Sequence, residues 1–253
     1  MKKIIILIPC WNRVNVVKLV SKQLDIFYEA NKDKVDIEVL WILSPEDPKC
    51  HEIARVFTDA KHTRTMELAP NNRLGEKLNI GIRKANDMGY DYLMNMGSDD
   101  LLHESLIDLY LPYMEKENKL FGLSNLYVYN QNGETMFFNN YNKPYVVGAA
   151  RMIHREVIEK VIKEFGCLYE PTLRRAMDGN SANRMIKCGY VQTPINTGDF
   201  PMLVDIKAGT NINNYASVAR TGFMRKLTKE VNRNVVEDVF PILKNLKRNE
   251  LED

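Results

Sequence analysis

The sequence predicts an α/β protein whose mainly parallel sheet carries helices on both faces. Short apolar runs rich in β-branched residues alternate with segments whose apolar residues recur at helical spacing, and this alternation is typical of a parallel sheet. Unusual polar loops follow the apolar runs, at the carboxyl ends of the predicted strands, where ligands bind in such sheets. The 253 residues suffice for one large α/β domain, or for a core domain with a smaller appendage.

The first half of the chain supplies the alternating elements. Lys3–Ile8 is a continuous apolar run, which predicts a strand covered on both faces. A helix over about 14–30 follows, because apolar residues recur there at helical spacing. Another helix begins near Leu74 and ends at Gly89. The remaining predicted elements are a strand Ile37–Leu43, a short helix around Ile53–Phe57, a strand Thr65–Leu68 and a strand Asp91–Met96.

The second half has a different pattern, and the change near residue 120 predicts a junction between subdomains. Two apolar runs, Leu120–Tyr129 and Thr135–Phe138, flank Asn132-Gly133, a strong signal for a two-residue hairpin. Three helices are predicted, from near Arg155 to Gly166, over about Ala182–Cys188, and through a tail from Ala216 to Asp253. We therefore divide the chain into residues 1–120, residues 121–215 and a helical tail over 216–253.

Composition and charge narrow the class of protein. The chain is 45% apolar and 27% charged, as expected of a soluble globular protein. No apolar run approaches the ~20 residues that a membrane-spanning helix needs, so no integral membrane segment is expected. The four cysteines form no CxxC pair, which indicates a reducing compartment, here the cytoplasm, and argues against a zinc site. A net charge of +2 does not by itself indicate a nucleic-acid partner.

Two adjacent carboxylates follow the strand Asp91–Met96. Asp99 and Asp100 lie at the ligand edge of the predicted sheet, where isolated charges cost stability unless they are paired or bind a metal. Mg²⁺ and Mn²⁺ commonly bridge carboxylates and substrate phosphates. This arrangement predicts a metal–diphosphate site. The alternative is a turn or helix N-cap, where Ser98 and aspartates are also common.

Two other loops carry weaker signals. Pro9-Cys10-Trp11-Asn12-Arg13 joins the first strand to a helix, so its backbone N–H groups favour anions, Trp11 suits a base and Arg13 suits a phosphate. In the segment Asn71–Asn79, Gly75 permits close approach of a ligand to the backbone, and Lys77 and Asn79 add polar groups. A tight turn and an ordinary capped helix are the alternatives.

These three segments, in this order, resemble the family 2 GT-A glycosyltransferases. That family has a Pro-x-Tyr-Asn-Arg-like turn after its first strand, represented here by Pro9–Arg13. The family then has a helix start that contains an Asn, a Gly and a basic residue followed by Asn. In this chain Asn72–Ile82 represents that helix start. The family's Asp-x-Asp-Asp metal motif corresponds to Gly97-Ser98-Asp99-Asp100. The resemblance covers residues 3–105 clearly and 145–200 loosely.

The resemblance implies a Rossmann-like GT-A fold with a donor-binding half, 1–120, and an acceptor-binding, catalytic half, 121–215. It further implies a nucleotide-sugar donor, a divalent metal cofactor (Mn²⁺ or Mg²⁺), and a set of residues that bind the donor and its metal. The donor-binding set is Pro9, Trp11, Asn12, Arg13, Ser44, Glu46, Asn72, Gly75, Lys77, Asn79, Ser98, Asp100 and Lys207.

The chain departs from the family pattern at two places. Gly97 replaces the first aspartate of the metal motif, so Asp99 aligns with the metal-binding aspartate. The chain therefore either binds the cation more weakly or recruits another ligand such as Asp205. The family also has an acidic residue after its second strand, which usually contacts the nucleotide base, and this chain lacks that residue. Ser44 or Glu46 is the candidate substitute, and the base need not be the common uracil.

The family's catalytic base is a carboxylate near the start of a helix in the second half. Asp178, in Met177-Asp178-Gly179-Asn180, matches that position, with a plain N-cap as the alternative role and Glu170 as the reserve candidate. In Val204–Asn213, Lys207 is a candidate phosphate ligand and Asp205 a candidate metal ligand, although such stretches are more often polar loops.

The predicted reaction is metal-dependent transfer of a hexose-like unit to an acceptor hydroxyl, with inversion. One alternative is a nucleotidyltransferase, but its usual glycine-rich phosphate loop is missing, because Pro9–Arg13 contains no glycine. Another is a non-catalytic binder of a nucleotide-sugar or glycan, which the Gly97 replacement suggests. A glycan, a lipid-linked sugar, a protein hydroxyl or a hydroxylated DNA base is compatible as the acceptor.

Overall fold

A seven-stranded sheet forms the centre of the computed structural model, which describes residues 1–130, 132–139, 146–208, 215, 228–244 and 251. In spatial order its strands are β10 (Thr193–Ile195), β6 (Leu120–Leu123), β9 (Arg151–His154), β4 (Tyr92–Asn95), β1 (Lys3–Pro9), β2 (Asp36–Leu43) and β3 (Arg64–Leu68). Only β9 runs antiparallel to its neighbours, so the sheet is mainly parallel, as the alternating sequence pattern predicts.

Helices cover both faces of this sheet. Their bounds are α1 Val14–Asn31, α2 Cys50–Val56, α3 Leu74–Met88, α4 Leu106–Glu115, α5 Arg155–Phe165 and α6 Met177–Lys187. Alternate residues of β1 point to opposite faces: Ile4, Ile6 and Ile8 share a buried cluster with α1, whereas Ile5 and Leu7 share another with α3 and α5. The apolar run therefore forms the strand that both cores require, and the α/β fold class is confirmed.

A second sheet of five strands packs beside the first. Its order is β12 (Thr228–Val231), β8 (Thr135–Asn139), β7 (Asn125–Asn130), β11 (Leu203–Lys207) and β5 (Asp100–Leu102). The two sheets exchange strands across residue 120. β5 comes from the first part of the chain but lies in the second sheet, whereas β6, β9 and β10 come from the later part and complete the first.

The structure differs from the predicted elements at the hairpin. The apolar run 120–129 forms two strands, because the chain leaves the first sheet at Ser124, whose backbone N–H donates to Ile195 O at 2.8 Å. β7 and β8 do pair as a hairpin. The Asn130 N–H donates to Glu134 O across the loop, and Gly133 has φ +83°, so the connection is longer than the predicted two residues.

The tail also differs from its uniformly helical prediction. Residues 228–231 form the edge strand β12, which pairs with β8. Helical structure follows in two short pieces, an α-helical turn Asn234–Glu237 and a 3₁₀ turn Pro241–Leu243. The predicted helix over 216–227 and 245–250 lies outside the described residues. Within the described part of the chain, no helix is long and apolar enough to cross a membrane.

Candidate active site

A cavity of about 760 Å³ opens at the carboxyl ends of the parallel strands β1 and β4, where the loops predicted to bind a ligand meet. Strands β1 and β4 pair in parallel, so the loop after each reaches the same edge of the sheet. Many of the predicted site residues line this cavity: Pro9, Trp11, Arg13, Asn72, Lys77, Ser98, Asp99, Asp100, Asp178, Asp205 and Lys207.

Three carboxylates converge on one wall of the cavity. Asp99, Asp100 and Asp205 each offer an oxygen atom, and these atoms all lie within 4.8 Å of one another. The second sheet brings Asp205 to this place, because β11 pairs antiparallel with β5 in a register that sets Asp205 opposite Asp100. Residues far apart in sequence therefore form one acidic cluster, which includes Asp205, the additional candidate ligand suggested by the replacement at Gly97.

Cations flank the acidic cluster without neutralising it. The Arg13 guanidinium lies 3.0 Å from Asp99 Oδ2, and Lys207 Nζ lies 2.5 Å from Asp205 Oδ2. Asp100 has no such cation at ion-pair distance within the described residues, and its Oδ2 accepts a 2.5 Å hydrogen bond from the Gly97 backbone N–H.

Crowding of like charges and burial perturb two of these carboxyl groups. Burial, followed by the charges of Asp99 and Asp205, raises the pKa of Asp100 well above its usual range. Burial is also the largest cause that raises the pKa of Asp205 to about 6, while Lys207 opposes the shift. Such a cluster favours either protonation or the binding of a cation.

The donor set fits a hard divalent cation. It consists of carboxylate oxygens, the ligands that Mg²⁺ and Mn²⁺ prefer. Asp205 Oδ1 is buried and has no hydrogen-bond partner in the described part of the chain. Buried polar atoms are seldom left unpaired, so this oxygen is a candidate ligand atom.

Gly97 leaves room for this arrangement. A Cβ atom at residue 97 would lie 2.5 Å from Asp99 Oδ1 and 2.8 Å from Asp100 Oδ2, closer than any non-bonded contact allows. An aspartate at this position would therefore displace both carboxylates. The departure from the family motif is compatible with the cluster, because Asp205 contributes a third carboxylate from the second sheet.

Asp178 lies in the first turn of α6, on the lining of the same cavity. Ala176, two residues before Asp178, has φ +59°, a left-handed conformation directly before the first residue of the helix. The Asp178 carboxylate lies directly against Gly148, where any side chain would overlap it. Beneath it, the buried Arg151 donates to Asp178 O at 3.3 Å and to Ser181 Oγ at 3.2 Å.

Lys77 fixes the floor of the cavity. Its fully buried ammonium group donates to Cys10 O at 2.5 Å, Ser44 Oγ at 2.7 Å and Asn71 Oδ1 at 3.2 Å. These acceptors belong to the loops after β1, β2 and β3, so a single side chain of α3 connects three loops. Burial lowers the pKa of Lys77 to about 8.

Other predicted donor-binding residues do not line the cavity but organise the loops behind it. Ser44 is buried and accepts from Lys77. Glu46 is exposed, and its Oε1 accepts from the Asn71 backbone N–H at 2.5 Å. Asn12 has φ +45°, and its N–H donates to Asp47 Oδ2 at 2.6 Å.

Gly75 and Asn79 face another segment of the chain rather than the cavity. A Cβ atom at residue 75 would overlap the backbone carbonyl of Glu170, so this glycine permits close packing of two backbones. The Asn79 side chain donates to Tyr169 O at 2.7 Å and accepts from Tyr169 N at 3.1 Å. Both residues therefore hold the segment that precedes α6 and carries the chain towards Asp178.

The reserve candidate for the base has a different role. Glu170 Oε2 lies 2.6 Å from Arg184 Nη2, and Oε1 accepts from the Thr172 hydroxyl at 3.0 Å. The hydrogen bonds from Thr172, with a smaller contribution from Arg184, lower the pKa of Glu170. Glu170 does not line the cavity, so it is a structural residue of the segment before α6.

The structure adds site residues that sequence reasoning missed. Arg174 and Arg175 line the cavity just before α6, and Asn71 and Asn95 line it at the ends of β3 and β4. The arginine pair, three residues before the candidate base, was the available sequence signal. Asp47 is buried behind the cavity and accepts hydrogen bonds from two backbone N–H groups, those of Asn12 and Lys49.

Comparison with solved structures identifies the fold. A mannosyltransferase from Pyrobaculum calidifontis, solved with GDP-Man and Mn²⁺, superposes with a TM-score of 0.58 at 16% identity, covering 85% of this chain and 59% of that one. TarS from S. aureus gives a TM-score of 0.55 at 9% identity, covering 81% and 60%. A 4-diphosphocytidyl-2C-methyl-D-erythritol synthase from Anaerococcus prevotii gives 0.53 at 9% identity, covering 77% and 89%.

These likenesses show a GT-A-like α/β fold with a mostly parallel central sheet. The chain spans about three fifths of the length of the first two neighbours. No family model and no curated protein sequence matches the chain. The assignment to family 2 therefore stays a prediction.

Proposed function

We propose that this protein is a glycosyltransferase that uses a nucleotide-diphosphate-sugar donor and a divalent cation. The observation that carries this proposal is the placement of three converging carboxylates and the separate carboxylate of Asp178 on one cavity, at the ligand edge of a GT-A-like sheet. A carboxylate triad suits a cation and a diphosphate, whereas a single carboxylate apart from it suits proton transfer.

The donor occupies the side of the cavity formed by the loops after β1, β3 and β4. Asp99, Asp100 and Asp205 would hold the cation, which would offset the negative charge that develops on the leaving diphosphate. Trp11 offers an aromatic surface to the base, and Arg13 and Lys207 offer cations to the phosphates. In this proposal residues 1–120 form the donor-binding part, and 121–215 form the acceptor-binding part that carries Asp178.

Asp178 acts as the general base. It accepts the proton of the acceptor hydroxyl while the hydroxyl oxygen bonds to the anomeric carbon and the bond from that carbon to the diphosphate breaks. A single displacement of this kind inverts the anomeric configuration and releases a nucleoside diphosphate. Gly148, Ala176 and Arg151 fix the direction of the Asp178 side chain and helix start, as described above.

A nucleotidyltransferase is the second candidate, because the similarity to the cytidyl synthase covers 89% of that protein. Such an enzyme attaches the nucleotide and releases pyrophosphate, so the two candidates differ in their products. The loop Pro9–Arg13, which contains no glycine, favours the glycosyltransferase.

The first experiment is a thermal-shift screen of nucleotide-sugars and nucleoside triphosphates, each with and without Mn²⁺. A ligand of the folded state raises its apparent stability. We expect one nucleotide-sugar to raise the melting temperature in the presence of Mn²⁺, and the Asp99→Ala variant to lose this shift. The absence of any nucleotide-sugar shift in the wild type would contradict the proposal, and a shift with a triphosphate alone would favour the second candidate.

Turnover of the identified donor then tests Asp178. In donor hydrolysis or transfer, Asp178→Asn should lower kcat about 100- to 10,000-fold while donor binding persists, because proton transfer is lost but the donor site is intact. Glu170→Gln is the matched control, since it removes a carboxylate close in sequence that lies outside the cavity. If Asp178→Asn and Glu170→Gln both kept the kcat of the wild type, Asp178 would be excluded as the base.

A further inference from the structure

The cavity lining carries opposite net charge in two places: on β5, β11 and the loop before β5, here called the β5–β11 end, and around the start of α6, here called the α6 end. At the β5–β11 end, three carboxylates face two cations, Arg13 and Lys207, and this end suits a metal ion. At the α6 end, the charged groups are Asp178, Arg174 and Arg175 on the lining and Arg151 beneath it. Three guanidinium groups face one carboxylate there, so the α6 end has an excess of positive charge.

The arginines at the α6 end have no carboxylate partners within the described residues. Arg174 and Arg175 are exposed and line the cavity, and neither side chain forms a hydrogen bond or an ion pair with the described residues. The segment that precedes them is held by two contacts: Glu170 binds Arg184, and Gly75 N–H donates to Leu173 O at 3.2 Å. The backbone that presents the two arginines is therefore fixed while their side chains remain available.

Arg151 strengthens this imbalance from below. It is 2% exposed, and its donors reach only neutral acceptors, Asp178 O, Ser181 Oγ and Val146 O. Its Nε has no hydrogen-bond partner in the described part of the chain. A buried cation without a counter-ion costs stability, and an anion in the adjacent cavity would offset that cost.

We propose that Arg174 and Arg175 form an oxyanion subsite that binds a phosphate or carboxylate group carried by the sugar substrate, separately from the diphosphate of the donor. The guanidinium fork suits both oxyanions, because it can donate two parallel hydrogen bonds to either. The placement of the oxyanion on a sugar rests on the proposed function, whereas the subsite itself rests only on the charges and lining of the α6 end. Its substrate is an anionic sugar, either the acceptor or the transferred unit.

Glucose 6-phosphate is the direct probe, with glucose as its neutral counterpart. Thermal-shift titrations in low-salt, phosphate-free buffer give an apparent dissociation constant for each. We expect glucose 6-phosphate but not glucose to stabilise the wild type, and Arg174→Gln/Arg175→Gln to bind it at least about tenfold more weakly, as the loss of charge-assisted hydrogen bonds predicts. Both residues are exposed, so this variant should keep the wild-type melting temperature without ligand.

A matched control removes the same charge elsewhere. Arg55→Gln/Arg83→Gln changes two exposed arginines outside this cavity and should bind glucose 6-phosphate as the wild type does. Equal weakening in both double variants would show a non-specific effect of net charge and would overturn the proposal. So would equal affinity of the wild type and Arg174→Gln/Arg175→Gln, or no stabilisation of the wild type by glucose 6-phosphate.

Two further arms identify the source of the oxyanion. If glucose 6-phosphate still binds when Mn²⁺ and a saturating intact nucleotide-sugar occupy the donor site, the oxyanion belongs to the acceptor. If a uronic-acid donor binds more tightly than its hexose counterpart, and only with the arginine pair intact, it belongs to the transferred sugar. Binding of glucose 6-phosphate without any nucleotide-sugar binding would support the subsite while contradicting the proposed donor.

Discussion

At the scale of single residues, the acidic cluster depends on the absence of a side chain at Gly97. Gly97 stands where the motif that the sequence resembles has an aspartate, and any side chain here would press on Asp99 and Asp100. The third carboxylate comes from Asp205, on the strand β11 that pairs with β5. The acidic cluster thus combines the loop after β4 with two paired strands of the second sheet.

Gly97→Ala tests this reading with the smallest possible side chain. The added methyl group should displace the two carboxylates and weaken Mn²⁺ binding about 10- to 100-fold, the usual effect of disturbing the groups that orient metal ligands. Isothermal titration with Mn²⁺ measures the effect. Gly179→Ala is the control, because no atom lies within 4 Å of the Cβ it would add. Unchanged Mn²⁺ affinity in Gly97→Ala would place the cation elsewhere.

At the scale of elements, Lys77 joins loops that follow three different strands. Its three acceptors lie in the loops after β1, β2 and β3, and its own helix α3 packs on β1 and β2. The sequence suggested that Lys77 contacts the ligand, but its donors are already used by the protein. We therefore expect Lys77 to act by positioning the loops that form the cavity.

Lys77→Met keeps the length of the side chain but removes the three hydrogen bonds. We expect the free energy of unfolding to fall by roughly 1–3 kcal/mol, since buried acceptors lose their donor. Amide hydrogen exchange should accelerate in the three loops and not in β1 or β2, as expected of local opening. Lys84→Met, on the more exposed part of the same helix, is the control and should leave exchange in these loops unchanged.

At the scale of the whole molecule, three histidines link stability to pH. Burial is the largest cause that lowers the pKa of His62, His103 and His154 below the usual 6.5. His62 is the most buried, with Nδ1 2.6 Å from Asp25 Oδ1 and Nε2 unpaired within the described residues. Below pH 6.5 the unfolded chain binds protons that the folded protein resists, so these groups lower stability as the pH falls.

Asp100 and Asp205 have raised pKa values, so they increase stability as the pH falls, opposite to the histidines. The total pH dependence of stability therefore does not report on the histidines alone. The difference between wild type and His62→Asn isolates one histidine. On acidification from pH 7, the wild type should lose stability relative to this variant, by at most about 1.4 kcal/mol for each pH unit. Urea denaturation at several pH values measures it. His51→Asn, at an exposed ring, is the control, and a constant difference for His62→Asn would contradict the prediction.

The sequence predicts most of the first sheet because its signals are local. Apolar runs and helical spacing give β1, β2, β4, α1, α3 and α5 nearly to the residue. The division of the run 120–129 at Ser124 escapes such reasoning, since it depends on Ile195, which lies far along the chain. The strand β12 escapes it as well, because an exposed edge strand has little apolar alternation to reveal it.

In the candidate site, too, the residues marked by local signals could be predicted from the sequence, and those placed by distant contacts could not. Asp99, Asp100 and Arg13 lie at strand ends and are recognisable from their position alone, whereas Asn79 and Gly75 look like ligand contacts but bind the chain segment at 169–173. Arg174 and Arg175 were missed because an exposed charged pair has no periodicity. Only tertiary structure brings them to the cavity.

The exchange of strands between the sheets has a consequence for synthesis on the ribosome. A nascent chain that has emerged only to residue 120 contains β4 but not β9, its neighbour, and contains β5 but not β11, which pairs with it. The edge of β4 stays open until residues 151–154 emerge and that of β5 until residues 203–205 emerge, and open strand edges promote association with other chains. The acidic cluster likewise assembles only when Asp205 has emerged, so the first half of the chain alone cannot form it.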